Sequence, residues 1–130
     1  MADREEISVS ALGTLISHYT HAVRVGDLLF VSGCVPTDAD GNVVGGDDVA
    51  AQARKVFENI GAILAAAGAT FADVAKVTVY LTDISLFQQM NGVYTTYFKT
   101  DRPARATVQV ASLNGGSKVE IVAIARKPAR

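Results

Sequence analysis

Cysteine, tryptophan and proline are scarce in this chain of 130 residues, and its acidic and basic residues nearly balance. The single cysteine, Cys34, excludes an internal disulfide and is typical of a reducing compartment. A formal net charge of −1 provides no basic surface for nucleic acid. No apolar run approaches the roughly 20 residues of a membrane span, and the first residues do not resemble a secretion signal. We therefore expect a cytoplasmic protein that binds neither nucleic acid nor a membrane.

Apolar residues are abundant, at 49% of the chain against 19% charged residues. This composition excludes intrinsic disorder, and the length suffices for one domain with its own core. We expect a single domain over residues 1–130, with an extended arm over residues 1–15. So many apolar residues in a small domain also predict homo-oligomerisation, which would bury the surplus.

Two segments have the apolar spacing of amphipathic helices. The first is predicted to begin after an N-cap at Asp47 or Asp48 and to end at Ala67, before Gly68. The second is predicted to begin near residues 83–85, where Ser85 and Gln88 suit a capping box, and to end before Pro103.

Strand patterns account for most of the remaining chain. A hairpin over residues 21–31 is predicted to turn at Gly26 and Asp27, and residues 74–81 alternate like a half-buried strand. We expect Ser32 and Gly33 to end the second hairpin strand at a close approach of backbone and ligand. Residues 102–113 and 118–126 predict two further strands joined by a Gly-rich turn.

The predicted order β-β-α-β-α-β-β indicates an α+β fold, a mixed sheet with two helices on one face. Residues 28–31 and 119–125 are apolar on both strand faces, so the second sheet face also needs cover. The chain offers no third helix, and a second copy of the protein is the simplest cover.

No metal, phosphate or nucleophile motif is evident. His18 and His21 have no acidic or cysteine ligand near them in sequence, and the loop at 41–46 lacks the Lys-Ser/Thr ending of a phosphate loop. A lone cysteine such as Cys34 is more often inert filler than a nucleophile. We predict no metal and no cofactor.

Two charged residues stand in otherwise apolar strands: Arg105, in phase with Thr107 and Gln109, and Glu120, in phase with Val122 and Ile124. A buried charge needs a partner, a water or a substrate. Arg105 suits either an ion pair or a clamp for a substrate carboxylate.

Three further residues also allow a structural and a functional interpretation. Glu120 suits either a bound water or an ion pair with Lys118, Arg126 or Arg105. Tyr19 suits either a packed loop aromatic or a pocket wall, and Asn91 either a helix-surface amide or a ligand contact.

These residues lie in recognisable surroundings: Pro103-Ala-Arg105, Lys118-Val-Glu120-Ile, Leu29-Phe-Val-Ser-Gly33 and the strand Thr78-Val-Tyr-Leu-Thr-Asp83. From Tyr19 onward the chain resembles the Rid (YjgF) family of enamine/imine deaminases. The resemblance implies a chorismate-mutase-like fold assembled as a homotrimer with a central barrel, and a substrate cleft at each subunit interface.

The resemblance also implies roles for the site residues. Arg105 would bind the substrate carboxylate, Glu120 would hold the attacking water, and Tyr19 would close the pocket. The backbone at Ser32, Gly33 and Thr107, together with the side chain of Asn91, would complete the surroundings. The chain departs from the family's usual pattern at His18, where Pro is common, and at Thr107, where Cys is common.

The implied reaction is hydrolysis of 2-iminobutanoate and 2-iminopropanoate, or their enamine tautomers such as 2-aminoacrylate, to 2-oxo acids and ammonia. The alternatives are a related deaminase for aminoacrylate or aminomuconate, an endoribonuclease or translation inhibitor, and a non-catalytic metabolite-binding protein. A near-neutral charge disfavours the ribonuclease, and the presence of both Arg105 and Glu120 disfavours the non-catalytic role.

Overall fold

The computed structural model describes residues 3–15 and 17–127 and contains one six-stranded sheet with two α-helices. The elements in chain order are β1 (Arg4–Ile7), β2 (Ala22–Val25), β3 (Leu28–Cys34), α1 (Val49–Ala66), β4 (Val74–Leu81), α2 (Phe87–Tyr97), β5 (Ala104–Gln109) and β6 (Val119–Arg126). The strands lie in the order β1-β2-β3-β6-β4-β5. Only β4 and β5 are parallel. The predicted mixed sheet with two helices is confirmed.

The core lies between the helices and one face of the sheet. Phe57, Ile60 and Leu64 on α1 are almost fully buried. In the central strand β6, alternate residues from Val119 to Ala125 are buried toward the helices, while Glu120, Val122 and Ile124 point to the other face. The predicted alternation in β4 and β6 is therefore confirmed.

The second face of the sheet is apolar and uncovered within one chain. Its large side chains remain about two-fifths exposed: Val25, Leu28, Phe30 and Val108. Contiguous apolar surface of this kind is rare on a protein that stays monomeric. The predicted second copy and the trimer remain predictions, since a single chain is present.

Two buried polar side chains tie the ends of β6 to the helix layer. At its start, Gln52 on α1 accepts a hydrogen bond from the backbone N–H of Lys118 at 2.7 Å. At its end, Arg24 donates to the carbonyl of Lys127 at 2.6 Å and to that of Ala67, just after α1, at 2.5 Å. These bonds hold β6 in register beneath α1 because each satisfies buried polar groups that would otherwise lack a partner.

The sheet differs from the predicted arrangement at both ends of the chain. The predicted arm over residues 1–15 contains a strand, β1, that pairs antiparallel with β2; Met1 and Ala2 lie outside the described residues. The two C-terminal strands do not pair with each other, because β4 lies between them. After α2 crosses over, β5 runs parallel to β4, as a β-α-β connection requires.

Strand β3 continues past the predicted stop at Ser32 and Gly33. Val31 lies opposite Ala123 and Cys34 lies opposite Ile121. Between these two pairs β3 advances by three residues and β6 by only two. One extra residue in a strand is a β-bulge, a feature that re-aims side chains near functional sites. Gly33 therefore lies in a bulge and not at a strand end, while the predicted hairpin between β2 and β3 is confirmed.

The helix ends follow the predicted capping chemistry in part. Asp48 is the N-cap of α1, and Gly68 follows its C-cap with a φ of +79°. The capping box of Ser85 and Gln88 is wrong. The side chain of Asp83 instead accepts from the N–H of Ser85 at 2.9 Å and caps a short 3₁₀ turn before α2. No helix within the described ranges is long and apolar enough to cross a membrane.

Replacing Asp48 with Ala is expected to lower the free energy of unfolding by about 1 kcal/mol. Its carboxylate accepts from the N–H groups of Ala50 and Ala51 at 3.0 and 3.3 Å, and those donors would lose their partner. Asp47→Ala is the matched control, because the Asp47 side chain is fully exposed. Urea unfolding at a fixed protein concentration measures both; equal losses would contradict the capping role.

Candidate active site

The first group of site residues, the arginine cluster, consists of Arg105, Asn91, Phe87 and Tyr94. Nη1 of Arg105 donates to Oδ1 of Asn91 at 2.7 Å. The guanidinium carbon lies 4.4 Å from the ring centroid of Tyr94 and 5.2 Å from that of Phe87. The aromatic faces hold the cation by cation–π attraction, so the side chain is oriented although it is exposed.

Arg105 forms no salt bridge with an acidic residue in the described part of the chain. Arg105 therefore has no ion pair within one chain among the described residues, and an ion pair across a subunit interface stays a prediction. The asparagine contact occupies one of five N–H donors, and the side chain borders a groove of about 340 Å³ lined by α2 and the start of β5. A planar cation with free donors at a groove is suited to a carboxylate.

Thr107 follows Arg105 on the same face of β5, where it lies opposite Val79. Its hydroxyl is buried and has no hydrogen-bond partner among residues 3–15 and 17–127. A buried unpaired hydroxyl is uncommon, and a ligand or water at this position would satisfy it.

The second group, the glutamate cluster, consists of Glu120, Tyr19, Ser32 and Gly33. A Cβ atom at position 33 would overlap Oε2 of Glu120, so glycine in the bulge lets the carboxylate lie against the backbone. The hydroxyl of Ser32 donates to the carbonyl of Thr20 at 2.6 Å and fixes the segment that carries Tyr19. Tyr19 itself is 52% exposed and borders an open pocket.

Glu120 has no basic partner in the described ranges. Lys118 approaches Asp47, and Arg126 pairs with Asp27 at 3.2 Å, so Glu120 forms none of the predicted ion pairs within one chain; an ion pair with Arg105 of a second copy stays a prediction. Burial raises the pKa of the Glu120 carboxyl above its ordinary value of 4.5. A carboxylate with a raised pKa and no ion-pair partner is suited to accept a proton from a bound water.

The two clusters lie on opposite faces of the sheet in one chain. Arg105 is opposite Val77, which faces the helices, whereas Glu120 is opposite Tyr80, which faces away from them. β5 and β6 lie on the two sides of β4, and the β4 partners of the two residues are three positions apart. The Cα atoms of Arg105 and Glu120 are therefore roughly 14 Å apart. A molecule of a few heavy atoms cannot contact both clusters within one protomer.

His18, His21 and Cys34 belong to no group of metal ligands among the described residues. No group of three or more potential metal ligands exists in the part of the chain that the structure describes. Burial, followed by the charge of Glu120, raises the pKa of the Cys34 thiol to about 12, so it stays protonated at neutral pH and is a poor nucleophile. His21 is buried and His18 is exposed.

The apolar spacing of the second predicted helix includes Phe87 and Tyr94, but it did not predict their contact with Arg105. The spacing does indicate that these residues are neighbours, because Phe87, Asn91 and Tyr94 lie on one face of a helix. Nothing in the sequence pattern shows which strand lies opposite that face.

Comparison with known proteins decides the family. The model of the Endoribonuclease L-PSP family matches residues 10–127, nearly the whole chain. The chain belongs to this family, also called YjgF or Rid.

A RutC family protein of Pyrococcus abyssi is 46% identical over 86% of this chain and 88% of its own. A human 2-iminobutanoate/2-iminopropanoate deaminase is 42% identical over 94% of this chain and 89% of its own. A Rid-family structure from Yersinia pestis, of unknown function, superposes with a TM-score of 0.90 at 37% identity, covering 95% and 98% of the two chains. The structure of E. coli TdcF with bound serine superposes with a TM-score of 0.87 at 36% identity and the same coverage.

His18, where the family resemblance led us to expect proline, has an unusual backbone conformation. Its φ is +65°, in the left-handed region. Proline is restricted to a φ near −65°, so the residue common at this position cannot adopt the loop conformation seen here. The loop before Tyr19 therefore has a backbone conformation that a proline at position 18 would exclude.

Glu120→Gln is expected to stabilise the fold at pH 7, because the ionised carboxylate is disfavoured by burial. A raised pKa means that the folded state binds the proton more tightly than the unfolded state, so Glu120 favours folding at low pH and loses that contribution as the pH rises. The gain from Gln should therefore shrink as the pH falls to 4.5 and below. Urea midpoints at several pH values measure it.

Glu58→Gln, at an exposed position on α1, is the control and should show little change at any pH. A Glu120→Gln protein that is no more stable than the wild type at pH 7 would contradict the unpaired, half-buried carboxylate.

Proposed function

We propose that this Rid-family protein hydrolyses small 2-imino acids, or their enamine tautomers, to 2-oxo acids and ammonia at a site shared by two protomers. 2-Iminobutanoate and 2-iminopropanoate are the proposed substrates. The observation that carries the proposal is the pair of half-sites: an oriented arginine with free donors on one sheet face, and a half-buried glutamate without a basic partner on the other.

Arg105 supplies the binding step. Two parallel N–H groups of a guanidinium match the two oxygens of a carboxylate. Because Asn91, Tyr94 and Phe87 already orient the side chain, little conformational entropy is lost when the substrate binds. The buried hydroxyl of Thr107 lies two residues further on the same face and gains a polar partner in the complex.

Glu120 supplies the water. A protonated imine carbon is electrophilic without further activation, so the site has to place a water beside it. The water oxygen forms a bond to the carbon, and one of its protons passes to Glu120. Glu120 then gives the proton to the nitrogen. As the carbon–nitrogen bond breaks and ammonia leaves, Glu120 takes the remaining hydroxyl proton, the carbonyl of the 2-oxo acid forms, and the carboxylate is regenerated by loss of that proton to solvent. Holding water and substrate together supplies much of the rate by proximity.

The relatives support the chemistry at a general level. The human relative carries the name of the proposed activity, and E. coli TdcF was solved with serine, a small molecule that has a carboxylate beside a carbon–nitrogen bond. The Pyrococcus relative is named only as a RutC family protein, and a related deaminase for aminoacrylate, which would use the same two clusters, is the second candidate.

The shared site requires a second copy. We propose the homotrimer, in which the uncovered apolar sheet faces form a central barrel and Glu120 of one protomer approaches Arg105 of the next. The exposed apolar side chains at Leu28, Phe30 and Val108 support this arrangement, because association would remove them from water. One cysteine and no disulfide also suit the cytoplasm, which we propose as the location.

Arg105→Ala is expected to lower kcat/KM for 2-iminobutanoate at least ~100-fold, because the substrate carboxylate loses its charged partner. An L-amino-acid oxidase with catalase generates the imine, and competition with semicarbazide measures its hydrolysis. Arg105→Lys should recover only part of the loss, since an ammonium group lacks the two parallel N–H donors of a guanidinium. Arg54→Lys, an exposed arginine on α1, is the matched control.

The same assay separates the alternatives. Full activity in Arg105→Ala would contradict the carboxylate clamp. Cleavage of RNA that does not depend on Arg105 would favour the ribonuclease, and ligand binding without turnover would favour a metabolite sensor.

Mixing two inactive variants tests whether the site is shared. When Arg105→Ala and Glu120→Gln chains are refolded together in equal amounts, about one quarter of wild-type activity should return. A shared site is intact only where the Glu120→Gln chain supplies Arg105 and the Arg105→Ala chain supplies Glu120. Each of these two chains occupies its position with a probability of about one half, so about one site in four is intact. Wild-type protein taken through the same refolding sets the scale. A mixture as inactive as its parents would place both residues in one protomer's site.

A further inference from the structure

A cavity of about 60 Å³ lies between α1 and the end of β3, next to the glutamate cluster. Tyr19, Ser32 and Gly33 line it on the side of the cluster. The deeper wall is formed by the loop before β2 and by one face of α1. Since a water-sized group needs roughly 10–15 Å³ by this measure, the cavity has room for about four to six heavy atoms.

His21 places a hydrogen-bond donor at this cavity. The residue is 7% exposed, and its Nδ1 accepts from the backbone N–H of Val9 at 3.0 Å. A nitrogen that accepts carries no proton, so the neutral ring holds its proton on Nε2. No residue in the ranges 3–15 and 17–127 hydrogen-bonds to Nε2, although the ring lines the cavity.

Asn59 places an acceptor at the same cavity. It is also 7% exposed, and its Nδ2 donates to the carbonyls of Val35 and Thr37 at 3.2 and 3.0 Å. These two bonds determine the orientation of the amide, because only the nitrogen can donate to both carbonyls. The carbonyl oxygen Oδ1 is then left without a hydrogen-bond partner among the described residues.

The remaining deep wall is apolar, with Leu12, Leu15 and Ile63 contributing side chains. A pocket that is mostly apolar and has a few placed polar atoms is typical of small-molecule recognition. The donor Nε2–H of His21 and the acceptor Oδ1 of Asn59 are both uncharged. They match a neutral ligand group that accepts one hydrogen bond and donates another. A side-chain carboxylate would be repelled by the nearby Glu120, whose charge also reaches Cys34 in the cavity wall.

We propose that this cavity is the side-chain subsite of the active site, where His21 and Asn59 select 2-imino acids whose side chain ends in a carboxamide or hydroxyl group. The inference rests on the proposed function: Gly33 both contacts Glu120 and lines the cavity, so a reacting carbon held beside Gly33 would direct its side chain into the cavity. It deepens that function by ranking the substrates: the methyl and ethyl groups of 2-iminopropanoate and 2-iminobutanoate would leave most of the space and both polar atoms unused, so these imines are expected to react by the same steps with a lower kcat/KM.

Asparagine and leucine provide a matched pair of substrate precursors. Their side chains have the same branched shape with four heavy atoms each, and only the first can bond to His21 and Asn59. Both imines are generated in situ by an L-amino-acid oxidase with catalase. We expect kcat/KM for the asparagine-derived imine to exceed that for the leucine-derived imine at least ~10-fold, because a site that hydrogen-bonds its substrate rejects the analogue that lacks the group.

His21→Asn is the decisive variant. Its side-chain oxygen can still accept from the N–H of Val9, as Nδ1 does, but the Nε2–H is removed. The asparagine-to-leucine ratio should fall at least ~5-fold. Ser17→Asn introduces the same side chain at an exposed position before His21 and should leave the ratio unchanged. Cys34→Leu fills the cavity, and should lower kcat/KM for both four-atom side chains relative to 2-iminopropanoate.

Equal rates for the two imines in the wild type, or a ratio that His21→Asn does not change, would overturn the proposal and leave the cavity as a site for water. Equilibrium binding of L-asparagine and L-leucine separates this failure from a failure of the proposed function. If no imine is hydrolysed but L-asparagine binds more tightly and His21→Asn removes that preference, the subsite stands and the hydrolase does not. Thermal unfolding checks that each variant folds. If Cys34→Leu does not fold, the result for His21→Asn alone decides the outcome.

Discussion

Side chains in the central strand β6 alternate between a face packed under two helices and a face that a single chain leaves uncovered. Gln52 and Arg24 hold the two ends of this strand against α1 and the residue after it, so its register cannot slip by one residue without breaking buried hydrogen bonds. A slip of one residue would turn Glu120 into the core. The position of the glutamate is therefore set by the same contacts that stabilise the fold.

The same alternation separates the two halves of the proposed site. Arg105 lies on the helix face of an edge strand, and Glu120 lies on the opposite face two strands away. This separation keeps the two charges from neutralising each other within a chain. The arginine is instead oriented by an amide and two aromatic rings, and the glutamate lies against a glycine in a β-bulge. Neither group is therefore paired with the other within one chain, and both are left for a ligand in the proposed site.

Local sequence patterns predicted the elements that local physics determines. The N-cap at Asp48, the glycine after α1 and the hairpin at residues 26–27 depend on residues close in sequence, and each was found where it was expected. The alternation of β4 and β6 was also correct because burial follows the two-residue period of a strand. The cap before α2 was misassigned, since Asp83 and Ser85 compete for the same role and only the backbone geometry decides between them.

The sequence by itself determined which residues carry charge or special backbone in apolar surroundings, and so identified Arg105, Glu120, Gly33 and the family. Only the tertiary structure decided that β4 separates β5 from β6, that β1 extends the sheet, and that Tyr94 and Phe87 orient the arginine. It also brought His21 and Asn59, 38 positions apart by their numbers, to one cavity. Periodicity reports which face of an element is buried, but which elements meet depends on pairings between distant segments that no local pattern encodes.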